Sequence, residues 1–387
     1  MNGERGIPSS RDKLLFTPGP LTTSLSVKQA MLHDAGSWHF EFNAMVQEVR
    51  EKILTIAGVS REGGYEAILM QGTGTFGVEA VLASAIPSQG KILIISNGAY
   101  GERLAQMARH LKISHIVLRC AEDSTPDLEA LEKTLRDDAS ITHVAVIHCE
   151  TTTGILNPID RIGAIVKAAQ RLYIIDAMSS FGAIPIDFHS ISIDYLISSP
   201  NKCLEGVPGF SFVIARRAAL LAVEDQARSL SLSLAAQLRG FEKNGQFRYT
   251  PPTHSILAFV QALKEFEEEG GVSARGARYG RNQEVLARGM KRLGFRVYLD
   301  PKAQSSIITS FYFPEHALFT FEEFYRRLSE KGFIIYPGKI SQASLFRIGS
   351  VGRIFENDIR GLLLAIGETL QEMHIQLVQD AGSQAPA

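Results

Sequence analysis

From residue 66 onward, short apolar runs alternate with stretches whose apolar positions recur every three or four residues. The runs at 67–70, 91–95, 113–118, 142–147 and 172–175 are strand-length. Between them, 78–85, 102–111 and 161–169 carry the helical spacing. Strands that alternate with amphipathic helices predict a mostly parallel sheet covered on both faces, an α/β fold. Two further strands, 193–197 and 210–215, flank a polar, glycine-broken loop. Past residue 229 the texture changes to helices at 229–242 and 256–269, joined by a loop through 247–254. A long basic helix (274–293) then leads to strands at 296–299, 306–313, near 334 and at 344–348, with helices at 321–331 and 356–373. The chain therefore divides into an entry segment (1–26), a large sheet domain (27–270), a small α+β C-terminal domain (271–375) and a disordered tail (376–387).

Composition narrows the class of protein. The 387 residues are 45% hydrophobic and 21% charged, with a formal net charge of -1, which gives no reason to expect nucleic acid or an acidic surface as partner. Cys120, Cys149 and Cys203 are odd in number and lack metal-like spacing, so neither a disulfide framework nor a bound metal is expected. A reducing compartment, the cytoplasm, suits them. No leader and no membrane span is read in the sequence.

The candidate chemistry gathers at the predicted strand ends. Lys202 lies in Ser198-Ser199-Pro200-Asn201-Lys202-Cys203, where a buried strand has just run out and no acidic residue adjoins it. Such a lysine is either a solvated loop residue or an amine desolvated enough to form a Schiff base. Gly72-Thr73-Gly74-Thr75-Phe76-Gly77 follows a strand and precedes a helix, and it satisfies the dinucleotide pattern literally. That pattern calls for an acidic residue after the next strand, but Ser96-Asn97-Gly98 stands there. The alternatives are a phosphate cup built from backbone N–H groups and threonine hydroxyls, or only a tight turn. Tyr100 sits between two glycines and either stacks on a flat ring or fills space. Asp176 ends a strand and is a helix cap or the partner of a protonated ring nitrogen, the arrangement used with pyridoxal phosphate. Arg347, between Phe346 and Ile348, either snorkels to the surface or holds an anion. His148 and Cys149 have no partner at metal or triad spacing and read as core.

Across nearly the whole chain these segments are similar to one family. Thr17-Pro18-Gly19-Pro20, Asn97-Gly98-Ala99-Tyr100-Gly101, Glu150-Thr151-Thr152-Thr153-Gly154, Asp176-Ala177-Met178-Ser179-Ser180, Asn201-Lys202-Cys203, Tyr336-Pro337-Gly338-Lys339 and Phe346-Arg347-Ile348-Gly349 resemble the fold-type I, class V aminotransferases. The likeness is strongest to members that move the amino group of 2-aminoethylphosphonate to pyruvate in phosphonate degradation. The same scaffold also carries alanine–glyoxylate and serine–pyruvate transaminases. The resemblance implies pyridoxal 5'-phosphate as cofactor, Lys202 as its Schiff-base lysine, Asp176 on the pyridine nitrogen and Tyr100 on the ring face. It further implies Thr73, Gly74 and Thr75 around the phosphate with Asn201 nearby, Thr151 near the ring hydroxyl, and Arg347 on the substrate anion, with Lys339 or Arg353 sharing its charge. A homodimer with shared active sites is implied as well, in which Thr253 reaches the neighbouring subunit's phosphate. Serine is the usual residue where Thr73 stands, and the hydroxyl is kept.

Overall fold

The computed structural model describes residues 12–338 and 343–377. Seven strands make one sheet: β1 (Tyr65–Gln71), β2 (Lys91–Ser96), β3 (Ser114–Arg119), β4 (Ile141–Ile147), β5 (Leu172–Asp176), β6 (Tyr195–Ser198) and β7 (Phe210–Arg216). Their spatial order is β1-β7-β6-β5-β4-β2-β3, and β7 runs against both of its neighbours while the other pairs are parallel. The inner strands are apolar on both faces because helices cover both. Ile92 to Ile95, Val144 to Val146 and Ile174 to Ile175 are all buried in the larger core. Six strands thus end at one edge of the sheet. The turns that leave this edge carry Gly74, Tyr100, Thr151, Asp176 and Lys202.

Five helices frame this edge and its surroundings: α1 (Gly74–Ala85), α2 (Ala99–His110), α3 (Thr253–Glu269), α4 (Gly271–Arg292) and α5 (Glu356–Glu372). A second core, built by α4 from Val285 on, by α5 and by the antiparallel strands β8 (Ile308–Tyr312), β9 (Tyr336–Pro337) and β10 (Leu345–Gly349), lies beyond the sheet. Phe16 is buried in that second core, and Leu14–Leu15 pairs in parallel with Phe333–Ile334. A third, small apolar cluster of Leu21, Cys149, Ala183, Cys203, Tyr279, Ile307 and Val351 fills the joint between the two.

Two expectations from the sequence are corrected. The segment 296–299 is not a strand: Val297 makes one isolated bridge to Phe311, because Asp300 begins a turn in which it accepts the N–H of Lys302 at 2.8 Å. The helix expected from residue 229 begins at Leu234. Its serines compete for the backbone, with Ser229 Oγ accepting from Leu232 N–H at 3.2 Å and Ser233 capping Ala236 at 3.3 Å. A helix that periodicity missed, Leu128–Asp137, starts where Asp127 accepts from Glu129 and Ala130 N–H at 3.0 and 3.2 Å.

Candidate active site

The site is built from turns at the carboxyl edge of the sheet, where open α/β folds leave room for a ligand. They line a cavity with Gly74, Thr75, Tyr100, Thr151, Asp176 and Lys202 among its walls.

Asp176 is the last residue of β5 and is fixed in register between Ile147 and Ile197. One carboxylate oxygen accepts the N–H of Met178 at 2.9 Å, and the group borders the cavity. Burial pushes its pKa up to about 6, and the neighbouring Glu150 carboxylate adds to the rise. The Met178 bond, Lys202 and Arg103 pull it back. A carboxylate this poorly compensated gains much from a cationic N–H placed in the cavity.

Lys202 extends from the loop after β6, and its Nζ donates to the carbonyls of Pro18 at 2.8 Å and Gly19 at 3.3 Å. The proline- and glycine-rich entry segment is therefore part of the site. Gly19 has φ +111, and a Cβ there would stand 2.6 Å from Lys202 Cδ and 2.9 Å from the Asn201 carbonyl. A side chain at 19 would displace the lysine.

Thr73 caps α1 in extended conformation without committing its hydroxyl to the helix. The first N–H groups of that helix, at Gly74 and Thr75, have no intrahelical acceptor by geometry and suit an anion. A Cβ at Gly74 would meet the side chain of Met178, in the loop after Asp176, which would have to move aside. The acid that a dinucleotide would require is absent here too: the turn after β2 holds Asn97, bonded to Asn157 at 2.8 Å.

Tyr100 is the second residue of α2. That helix is anchored by Glu150, a residue the sequence reading passed over in favour of the threonines. Glu150 is fully buried and accepts from Gly101 N–H at 3.2 Å and Thr152 N–H at 3.1 Å. Thr152 Oγ1 donates to Glu150 and accepts from Ala99 N–H at 2.9 Å. An acid ahead of three threonines was the available signal. Arg103, also unforeseen, lies 4.9 Å over the Tyr100 ring and borders the cavity. It falls one helical turn after Tyr100.

Arg347 does not snorkel; it is 1% exposed. Its Nη1 donates to the Thr151 carbonyl at 2.6 Å and its Nε to the Pro337 carbonyl at 2.9 Å. Burial lowers its pKa, and the Tyr100 hydroxyl, bonded to it, works the other way. The C-terminal sheet thereby meets the cavity wall.

Other residues singled out in the sequence, Cys149 aside, stand around the cavity rather than in its lining. Asn201 is half-buried beside Lys202. Thr253 opens α3, with its hydroxyl 3.5 Å from His254 Nδ1. Arg353 lies 5.3 Å over the Phe355 ring and gives its N–H to Thr22 at 2.7 Å. Lys339 lies outside the described residues. His148 is buried away from the cavity, whereas Cys149, buried in the apolar joint, also borders it; burial lowers the imidazole to about 4 and raises the thiol to about 12, so both stay neutral.

The cavity can take a flat, phosphorylated heterocycle. Its donor set offers an amine, a carboxylate with spare accepting capacity, an aromatic face and a helix N-terminus. The family described as aminotransferase class-V matches residues 24–353. The chain is 52% identical over 360 residues to the 2-aminoethylphosphonate–pyruvate transaminases of Salmonella typhimurium and Salmonella paratyphi C, covering 92% of this chain and 98% of each relative. Among solved structures it resembles the ureidoglycine–glyoxylate aminotransferase of Bacillus subtilis, with a TM-score of 0.87 and 23% identity over 98% of this chain and 97% of that one. It equally resembles the alanine–glyoxylate aminotransferase of Nostoc sp., with a TM-score of 0.87 and 22% identity over 96% of this chain and 98% of that one. At those identities the solved structures speak for the fold.

Proposed function

The chain belongs to the class-V aminotransferases, which work with pyridoxal phosphate, and from that premise we propose that it moves the amino group of 2-aminoethylphosphonate to pyruvate. Phosphonoacetaldehyde and L-alanine are the products, formed in two half-reactions that share one site. The observation that carries the reading is the convergence of Lys202, Asp176, Tyr100, Thr75 and Thr151 on one cavity.

Pyridoxal phosphate, when bound, supplies the electron sink that makes the proton on the nitrogen-bearing carbon acidic. Thr73, Gly74 and Thr75 would receive its phosphate, with Asn201 of the same chain nearby and Thr253 reaching it from the neighbouring subunit. Tyr100 would cover the ring and Thr151 would face the ring hydroxyl. Asp176 would hold a proton on the ring nitrogen, which the low polarity of its site makes worth more than in water. Lys202 is the base that takes the proton from the nitrogen-bearing carbon of the amine. In the return direction it gives a proton to the carbon that becomes the centre of alanine. Arg347 offers a guanidinium, whose planar fork suits a phosphonate in one half-reaction and a carboxylate in the other.

The active form in this reading is a cytoplasmic homodimer. Phe76, next to Thr75, is 51% exposed, and Trp38 and Phe40 are 81% and 73% exposed; exposed aromatics of this kind suit a face covered by a second copy. Three free cysteines suit a reducing compartment. In this reading the chain divides at residues 26, 270 and 375, which the separate cores support.

The test is the visible absorption of the protein loaded with pyridoxal phosphate. Addition of 2-aminoethylphosphonate alone should bleach the band, and pyruvate should restore it. Bleaching by alanine or serine but not by the phosphonate would move the function to a carboxylate transaminase. A chain that takes up no cofactor would overturn the reading.

A further inference from the structure

Outside the lining of the cavity, the loop that carries the lysine closes on a buried ionic cluster. Glu205 N–H donates to the Lys202 carbonyl at 2.9 Å and Gly206 N–H to the Pro200 carbonyl at 2.8 Å, so the lysine begins a tight turn. Glu205 itself sits at φ +55, a conformation a glutamate adopts only when its surroundings hold it there. Its Oε1 receives Arg278 Nη2 at 2.7 Å and the Tyr279 hydroxyl at 2.6 Å. Arg275 Nη1 stands 3.6 Å from the same oxygen and donates to the Cys203 carbonyl at 2.7 Å. Both guanidiniums are also tied through Nε to Glu269 at the end of α3, each at 2.7 Å.

The cluster then crosses to the segment that follows Arg347. Arg278 Nη1 donates to the carbonyls of Gly352 at 2.6 Å and Ile354 at 3.2 Å, and Tyr279 Oη accepts the N–H of Gly352 at 3.2 Å. Two carboxylates and two guanidiniums balance in charge, and the side chains of Arg275, Glu205 and Arg278 are 0%, 4% and 6% exposed. An apolar joint would hold two cores together equally well, because desolvating such ions offsets most of their attraction. What ions with fixed hydrogen bonds add is a unique geometry.

We propose that Glu205, acting through Arg278 and Tyr279, is a positioning residue for Lys202. It holds the turn of the lysine in fixed register with the segment after β10, and so with Arg347. The amine and the anion site then keep the separation that proton transfer requires. This rests on the roles given to Lys202 and Arg347 above.

Tyr279→Phe is the decisive variant. It deletes the hydroxyl that joins Glu205 to Gly352 while leaving the ring in the apolar joint and both arginines in place. The expected result is a cofactor band and uptake like the unsubstituted enzyme, with kcat lowered about tenfold, since small misplacements of a reacting group are costly. With 2-aminoethylphosphonate deuterated at the nitrogen-bearing carbon, the isotope effect on kcat should rise as proton transfer becomes the slow step. Glu205→Gln should act in the same direction and more strongly, by about 100-fold. A Tyr279→Phe enzyme that melts earlier but keeps kcat and the isotope effect would reduce the cluster to a structural role and overturn the proposal, even if Glu205→Gln fails to fold. Should the unsubstituted chain itself take up no cofactor, the functional reading falls first and this one with it.

Discussion

Asp176 and Glu205 are buried carboxylates near the same end of the sheet, and their surroundings treat them in opposite ways. Asp176 is given the N–H of Met178 and an open cavity. Glu205 is given a guanidinium and a phenol on one oxygen, with a second guanidinium close by. The first arrangement leaves an electrostatic deficit that a ligand can fill, and the second leaves none. A buried acid with spare capacity marks where chemistry happens; a fully compensated one marks what holds the chemistry in place. Lys202 joins the two regions, its amine in the cavity and its carbonyl in the turn closed by Glu205.

The hardest test of this division is therefore Lys202→Ala. Activity should fall by at least about 10⁴-fold, because the base is lost. The turn to Glu205 uses the backbone carbonyl of Lys202, so the unfolding midpoint of the cofactor-free protein should stay close to that of the parent. A large loss of stability would show that the lysine side chain belongs to the joint as much as to the cavity. Asp176→Asn comes next, with kcat lowered about 10³-fold, the scale of losing one preorganised electrostatic partner. Pyridoxal phosphate should still bind through the cup at α1, measured by equilibrium dialysis. A variant with nearly normal kcat would remove Asp176 from its assigned role.

The cavity was far more legible in the sequence than the joint. Strand ends followed by glycine, small residues and a lone polar group announce themselves locally, which is why Gly74, Asp176 and Lys202 could be singled out before their meeting was seen. The alternating strands and helices were legible for the same reason. The joint is built from residues far apart in the chain. Arg275 and Arg278 stood out only as part of a long basic helix, and Glu205 as part of a loop, because nothing in local spacing says that a charge will be paired across more than seventy positions. Glu150 was hidden differently: it lies in a segment already noticed, but its role of anchoring α2 depends on Gly98, Ala99 and Gly101 arriving beside it from another strand end. Leu128–Asp137 was missed although Asp127 stands where a cap belongs.

The smallest predicted effect separates the two carboxylates by the sign of their contribution to stability. The folded value for Asp176, about 6, lies above the ordinary 3.8 of an aspartate. Folding therefore strengthens proton binding, and the stabilisation this gives is complete below about pH 4 and is lost as the pH rises through 6. Asp176→Asn has no charge to bury, so the cofactor-free variant should match the parent near pH 4 and exceed it above pH 7, by up to about 3 kcal/mol. Glu205→Gln should instead be less stable than the parent at every pH between these limits, because two buried guanidiniums are left with Glu269 as their one counter-charge in the cluster. Urea unfolding at pH 4, 5.5 and 7.5 measures both. If Asp176→Asn differs from the parent by the same amount at all three values, the carboxylate carries no desolvation penalty at neutral pH, and the contrast between an acid held ready for a ligand and an acid already satisfied disappears.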